Sequence, residues 1–158
     1  MKKADLAGLW HALTDPPPRE NREHYRHELK YLISYGEKAA ITNRMKPIFA
    51  LDPHAENGGY LIRSLYFDDY WHSAYEEKEA GVLGRKKYRI RVYNANDKTI
   101  KLERKKKVGS WIYKESARLT KAELEKILAG DYAFLLHSPQ RLCQEFYYEC
   151  ITNVLRPR

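Results

Sequence analysis

Only two cysteines occur in the 158 residues, Cys143 and Cys150, seven positions apart in a segment that reads as a helix. That spacing suits neither a zinc pair nor a disulfide framework, so both are expected as buried or idle thiols in a reducing compartment. No window approaches 18 consecutive apolar residues, which excludes a membrane-spanning helix. The N-terminal stretch has lysines but no apolar run of signal-peptide length, and Asp5 comes early in it. A cytoplasmic location is expected. The six histidines (His11, His24, His27, His54, His72, His137) show neither Hx3H nor HExxH spacing, so none reads as a metal ligand. There is no internal repeat and no low-complexity tract. Acidic residues are outnumbered, with 29 Lys and Arg against 21 Asp and Glu and a formal charge of +8. A basic surplus favours a polyanionic partner, but where the charges sit has to decide.

Residues 1–23 read as a preamble, stiffened by Asp15-Pro16-Pro17-Pro18, and residues 24–158 as the domain. Alternation from Tyr25 to Ser34 predicts a strand, with Arg26, Glu28 and Lys30 on one side. Helical spacing follows from Gly36 to Phe49, and Asp52-Pro53 with Asn57-Gly58-Gly59 marks a loop. Tyr60–Phe67 is β-rich, and Asp68-Asp69 fits a cap for the helical turns of Tyr70–Ala80 better than a metal site. Three strands then run in succession, Lys87–Tyr93, Thr99–Lys107 and Trp111–Leu119. Asn94-Ala95-Asn96-Asp97 and Val108-Gly109-Ser110 form their hairpin links. Thr120-x-x-Glu123 is a capping box opening a helix to Ala129, closed by Gly130. Ser138-Pro139 starts a last helix, lined on one side by Phe146, Tyr147, Cys150, Ile151 and Val154. The predicted class is α+β, antiparallel strands with helices packed on one side.

Alternate residues of a strand face opposite ways, so each strand divides into two lanes. Lys87, Arg89 and Arg91 oppose Tyr88, Ile90 and Val92. Lys101, Glu103, Lys105 and Lys107 oppose Ile100 and Leu102. Lys114, Ser116 and Arg118 oppose Tyr113, Ala117 and Leu119, with Glu115 out of place on the apolar side. A solvated face would also alternate in this way. Four strands presenting cationic lanes together, with an Arg-x-Arg pair at the centre, point instead to phosphate, which guanidinium binds through two parallel hydrogen bonds. Glu28 and Glu103 could orient those cations or hold a divalent metal against phosphate oxygens. An RNA-binding sheet needs aromatic side chains on the charged face for base stacking. Tyr31 and Tyr88 fall on the other face, while Tyr60, Tyr66 and Tyr93 read as core or rim packing, so phosphate without bases fits better.

Four strings occur in order: Glu28-Leu29-Lys30-Tyr31, Ser64-Leu65-Tyr66-Phe67-Asp68, Arg89-Ile90-Arg91-Val92-Tyr93 and Leu102-Glu103-Arg104-Lys105. Together they resemble the bacterial form of the vacuolar transporter chaperone (VTC) domain. That family of polyphosphate polymerases belongs to the CYTH-like triphosphate tunnel metalloenzymes. The resemblance implies an eight-stranded antiparallel tunnel that transfers the ATP γ-phosphate to a growing polyphosphate chain, with Mn or Mg. By position it implies catalytic roles for Lys30, Arg89, Arg91 and Lys105. The same four, with Lys78 on the linking helix and Lys114, would bind the substrate's phosphates, and Glu28 and Glu103 are the candidate metal ligands. ATP and polyphosphate are the implied partners, without nucleic acid.

Two departures qualify this. Arg26 stands where the superfamily's opening Glu-x-Glu-x-Lys has its first glutamate, and the chain stops at Leu155-Arg156-Pro157-Arg158, near the start of the family's next tunnel strand. Five strands cannot close an eight-stranded tunnel. The expectation is a fragment, a degenerate copy, or a half that associates through open sheet edges, inactive on its own. A non-catalytic module binding polyphosphate or nucleotide is the alternative to the polymerase, and an RNA-binding sheet is a more distant one.

Overall fold

The computed structural model describes residues 25–52, 55 and 58–158. The preamble expected over residues 1–23 lies outside them, as do Pro53 and Asn57 of the expected loop. The described chain forms two units, one of residues 25–28 and 62–158, the other of Leu29–Leu61.

The larger unit is built on a six-stranded antiparallel sheet: β1 (Arg26–His27), β2 (Ile62–Asp68), β3 (Gly84–Tyr93), β4 (Asn96–Val108), β5 (Trp111–Leu119) and β6 (Arg156–Pro157). The spatial order is β1-β5-β4-β3-β2-β6, and the sheet is not closed into a barrel. Two tight hairpins set the register of its centre. Asn94 and Ala95 both take positive φ, 50° and 52°, as a two-residue type I′ turn requires, so Tyr93 faces Asn96. Gly109, at φ 56°, opens the second turn, and Val108 faces Trp111.

One face of the sheet is the core. Phe67, Tyr88, Ile90, Ile100, Leu102, Ala117 and Leu119 are buried there. Helices α3 (Lys121–Leu128) and α4 (Arg141–Thr152) and the 3-10 turn Ala133–His137 add Ile127, Leu135, Leu142, Cys143, Phe146 and Cys150. The Phe146 ring meets Phe67 edge-on at 5.0 Å and lies 5.2 Å from Tyr88. Both cysteines are free and buried, and burial pushes the Cys150 thiol up to about 12.

The expected capping box is present: Thr120 Oγ1 accepts from Glu123 N at 3.2 Å, and Thr120 N donates to Glu123 Oε2 at 2.7 Å. Asp68 and Asp69 do cap a helix. Their Oδ1 atoms accept from Ala74 N and Ser73 N, both at 2.9 Å, at the start of α2 (Ser73–Glu79). That helix is shorter than expected because His72 enters it in the left-handed region, at φ 58°.

Several elements differ from expectation. β1 spans two residues rather than ten, paired only with Trp111 and Ile112. Leu29, Tyr31, Leu32 and Ile33 carry the alternation onward but stay exposed, so the period has no ladder to support it. α4 begins at Arg141 instead of Pro139, because Ser138 Oγ accepts from Gln140 N and spends the cap on a local turn. Its buried side is Leu142, Cys143, Phe146 and Cys150, whereas Ile151 is 56% exposed and Val154 also faces outward. A sixth strand, not expected, ends the chain: Arg156 and Pro157 pair with Asp68 and Phe67, and Arg158 N donates to Tyr66 O at 3.0 Å.

The smaller unit holds helix α1 (Tyr35–Met45), which starts one residue earlier and ends four residues earlier than its pattern predicts. Ser34 and Glu37 form a capping box at its start. The pattern had run on through Ile48 and Phe49, and Pro47 keeps them from continuing the helix.

Candidate functional site

The second face of the sheet carries the charged lanes, and the register arranges them into rows running across the strands. Ser64, Arg91, Lys101 and Arg118 form one row, and Tyr66, Arg89, Glu103 and Ser116 the next. Lys87, Lys105 and Lys114 form a third, and Arg85, Lys107, Ile112 and Arg26 a fourth. The division into faces matches the alternation read from the sequence, with Tyr88, Ile90, Ile100 and Leu102 beneath the helices.

Glu103 lies at the middle of the face, 1% exposed. Arg89 donates to its Oε2 from Nε at 2.8 Å, with Nη2 at 2.7 Å. Arg91 Nε lies 3.7 Å from the same oxygen, and Lys114 Nζ sits 2.7 Å from Oε1. Burial acts to raise the carboxyl's pKa, but the bonds from Lys114 and Arg89 outweigh it, and the group is held below its usual range. Each arginine has a second anchor on β2: Arg89 Nη1 donates to the Tyr66 hydroxyl at 3.1 Å, and Arg91 Nε to Ser64 Oγ at 3.4 Å.

The lysine row is different in kind. Like charges directly opposite on adjacent strands repel one another, and Lys87, Lys105 and Lys114 lie side by side. Lys105 is 2.7 Å from Glu28, and Lys114 is drawn to Glu103. The Lys87 ammonium is depressed below its ordinary pKa, by burial first and then by the neighbouring charges of Lys78 and Arg85. An anion with several charges, laid across this row, would relieve that field.

Of the expected site residues, the structure brings together Arg89, Arg91, Lys105 and Lys114, with Glu28 and Glu103 among them. Lys78 is on α2, exposed, 2.6 Å from Glu79, and beside Lys87 rather than in a row. Lys30 belongs to the smaller unit and is exposed, three residues beyond the end of β1 at His27. Lys87, Lys101, Lys107 and Arg118 also lie on the face, and strand parity alone identifies them. The sequence reading did not assign Ser64 and Tyr66 to this face, although the same parity applied to β2 places them here. Tyr66 is 44% exposed and Tyr93 lies 5.6 Å beneath Lys101 Nζ. Aromatic side chains are therefore present on the charged face, a correction to the expectation that they would pack in the core or at a rim.

Arg104 breaks the alternation. It points into the helix side, where Arg104 Nε donates to Glu115 at 2.6 Å, a second ion pair joins it to Glu145 of α4, and Nη1 reaches the Tyr88 hydroxyl at 3.2 Å. Glu115, out of place in the sequence, is its cross-strand neighbour. The two irregularities compensate each other, and this cluster is part of the scaffold.

Glu28 and Glu103 are the carboxylates that the implied Mn or Mg would need on this face. Glu103 is taken up by three cations and Glu28 by Lys105. Among the described residues no three His, Cys, Asp or Glu side chains converge. As they stand, these carboxylates do not fit a resident divalent ion.

Residues 25–158 match the family pattern of the VTC domain. The chain belongs to the VTC domain family. Membership is consistent with a polyphosphate-related function and suggests a transferase-type role. No curated protein sequence matches the chain. Among the described residues, no helix of this VTC domain is long and apolar enough to cross a membrane.

Proposed function

We propose that this VTC domain binds the phosphates of ATP and of a polyphosphate chain along the cationic face and serves polyphosphate synthesis. The observation that carries this reading is the row Lys87, Lys105 and Lys114, opposed in register beside Arg89 and Arg91. In the reaction, a terminal oxygen of the chain forms a bond to the γ-phosphorus of ATP. The bond from that phosphorus to the β–γ bridging oxygen breaks, and ADP leaves with the electron pair. Such a transfer asks for alignment and for neutralisation of spread negative charge, which fixed guanidinium and ammonium groups supply. Arg89 and Arg91 would hold the transferred phosphoryl, and Lys105 and Lys114 the chain. Mn or Mg would have to arrive on the phosphates themselves.

A second reading, binding without turnover, is favoured by the open sheet, which presents one wall of cations. The edges of β2 and β5 are covered over only part of their length by the two-residue strands β6 and β1. A second copy could add strands there.

Calorimetry with tripolyphosphate and with a short RNA of equal charge tests the ligand class. Tighter binding of tripolyphosphate, independent of any base, is expected. Tighter and base-dependent binding of RNA, through Tyr66 and Tyr93, would overturn it.

A further inference from the structure

We propose that Glu103 is the positioning residue of this face, a buried carboxylate that aligns Arg89, Arg91 and Lys114 for a ligand carrying several phosphates in line. The inference rests on the phosphate reading above and gives Glu103 a task other than holding metal.

The geometry is that of an anchor. Glu103 lies mid-strand on β4, 1% exposed, with Arg89 opposite on one side and Ser116 on the other. Its two oxygens take different partners, Arg89 and Arg91 from β3 on Oε2 and Lys114 from β5 on Oε1. Three cations from two strands are thus referred to one fixed point. Tyr66 and Ser64 hold the arginines from the far side, at 3.1 and 3.4 Å. Arg and Lys are among the side chains that lose most rotamer freedom when ordered. Ordering them before the ligand arrives removes that loss from the binding step. Burial matters here as well, because a ligand cannot readily displace a carboxylate it cannot reach.

Glu103 also opposes an anion by its own charge, and the two effects differ in sign. If its role were only electrostatic competition, removing the charge would tighten the binding of every phosphate ligand. If it aligns the cations, removal should loosen a ligand that must touch several of them at once. A single orthophosphate, needing one or two, should be nearly indifferent. The comparison of the two ligands therefore reads positioning and not merely stability.

The test is Glu103→Gln, close to isosteric, titrated calorimetrically with tripolyphosphate and with orthophosphate beside the wild-type chain. Tripolyphosphate affinity is expected to fall about tenfold, with orthophosphate changing by less than about threefold. Tripolyphosphate bound equally well or more tightly, or equal losses for both ligands, would overturn the inference. Tyr66→Phe, which removes one hydroxyl at a half-exposed site, guards against misfolding of the first variant. It should lose about threefold for tripolyphosphate with Tm unchanged, and an unchanged affinity would count against the anchor on its own. A wild-type chain that ignores tripolyphosphate would instead overturn the phosphate reading, and this inference with it.

Discussion

Arg89 and Ile90 are adjacent in sequence and belong to different problems. Arg89 faces the cationic side with its charge paired to Glu103, while Ile90 is 3% exposed among the core side chains. Replacing Arg89 or Arg91 by Ala should weaken tripolyphosphate binding by about 1–3 kcal/mol per charge-assisted contact, read by calorimetry. Ile90→Ala should leave those contacts alone and lower folding stability by about 2–5 kcal/mol, read by chemical denaturation. Glu103 makes a prediction in pH. Its folded pKa is lowered from the ordinary 4.5, so the stabilisation it provides is fully present above that value and is lost as pH falls through the lower folded one. Denaturation between about pH 6 and pH 3 should therefore show the wild type losing more stability on acidification than Glu103→Gln. An equal loss in both would mean that the carboxylate is not ionised in the fold.

Among the elements, α3 best illustrates how local sequence and tertiary packing agree. Thr120 and Glu123 close its first turn reciprocally, and its penultimate residue, Ile127, is fully buried in the core. Thr120→Ala should destabilise the fold by about 1 kcal/mol, seen as a lower denaturation midpoint with an unchanged slope. β1 is the opposite case. Its sequence alternates for ten residues, yet only Arg26 and His27 find partners on β5. Alternation says that a segment can be a strand, whereas a strand exists only where a neighbour accepts its backbone hydrogen bonds. The six-residue difference between Cys150 and Arg156 is spanned by a further tie, since Arg156 Nη1 donates to the Cys150 carbonyl at 3.2 Å. That contact helps seat the last strand beside β2, a pairing the sequence pattern did not announce.

At the scale of the whole molecule, the open sheet governs what the chain can do. Phosphoryl transfer needs cations around the reacting group from several sides and a site from which water is excluded. The cationic face is one wall, and contacts on a wet wall are screened. The 158-residue chain as a monomer should bind tripolyphosphate, with an affinity that falls steeply with added salt. It should not elongate polyphosphate from ATP, with or without Mn or Mg. A thermal shift with tripolyphosphate and an assay for acid-stable chains on the same monomeric sample check both halves. Elongation by that monomer would show that one wall suffices.

Which residues share a face was legible in the sequence, because the direction of a side chain on a strand is a local property with a period of two. Lys87, Arg89 and Arg91 were separable from Tyr88 and Ile90 on that ground alone, and the hairpin turns and the α3 cap were legible from residues in direct succession. What stands opposite what was decided by the tertiary structure. The rows Tyr66–Arg89–Glu103–Ser116 and Lys87–Lys105–Lys114 depend on the register, which the two short turns and the β2–β3 pairing set together. The burial of Glu103, the pairing of Arg104 with Glu115 and the docking of β6 arise from residues far apart in the chain. A carboxylate in a cationic lane reads the same in sequence whether it will hold a metal or align three cations. Only its neighbours in space, and the water they exclude, separate the two.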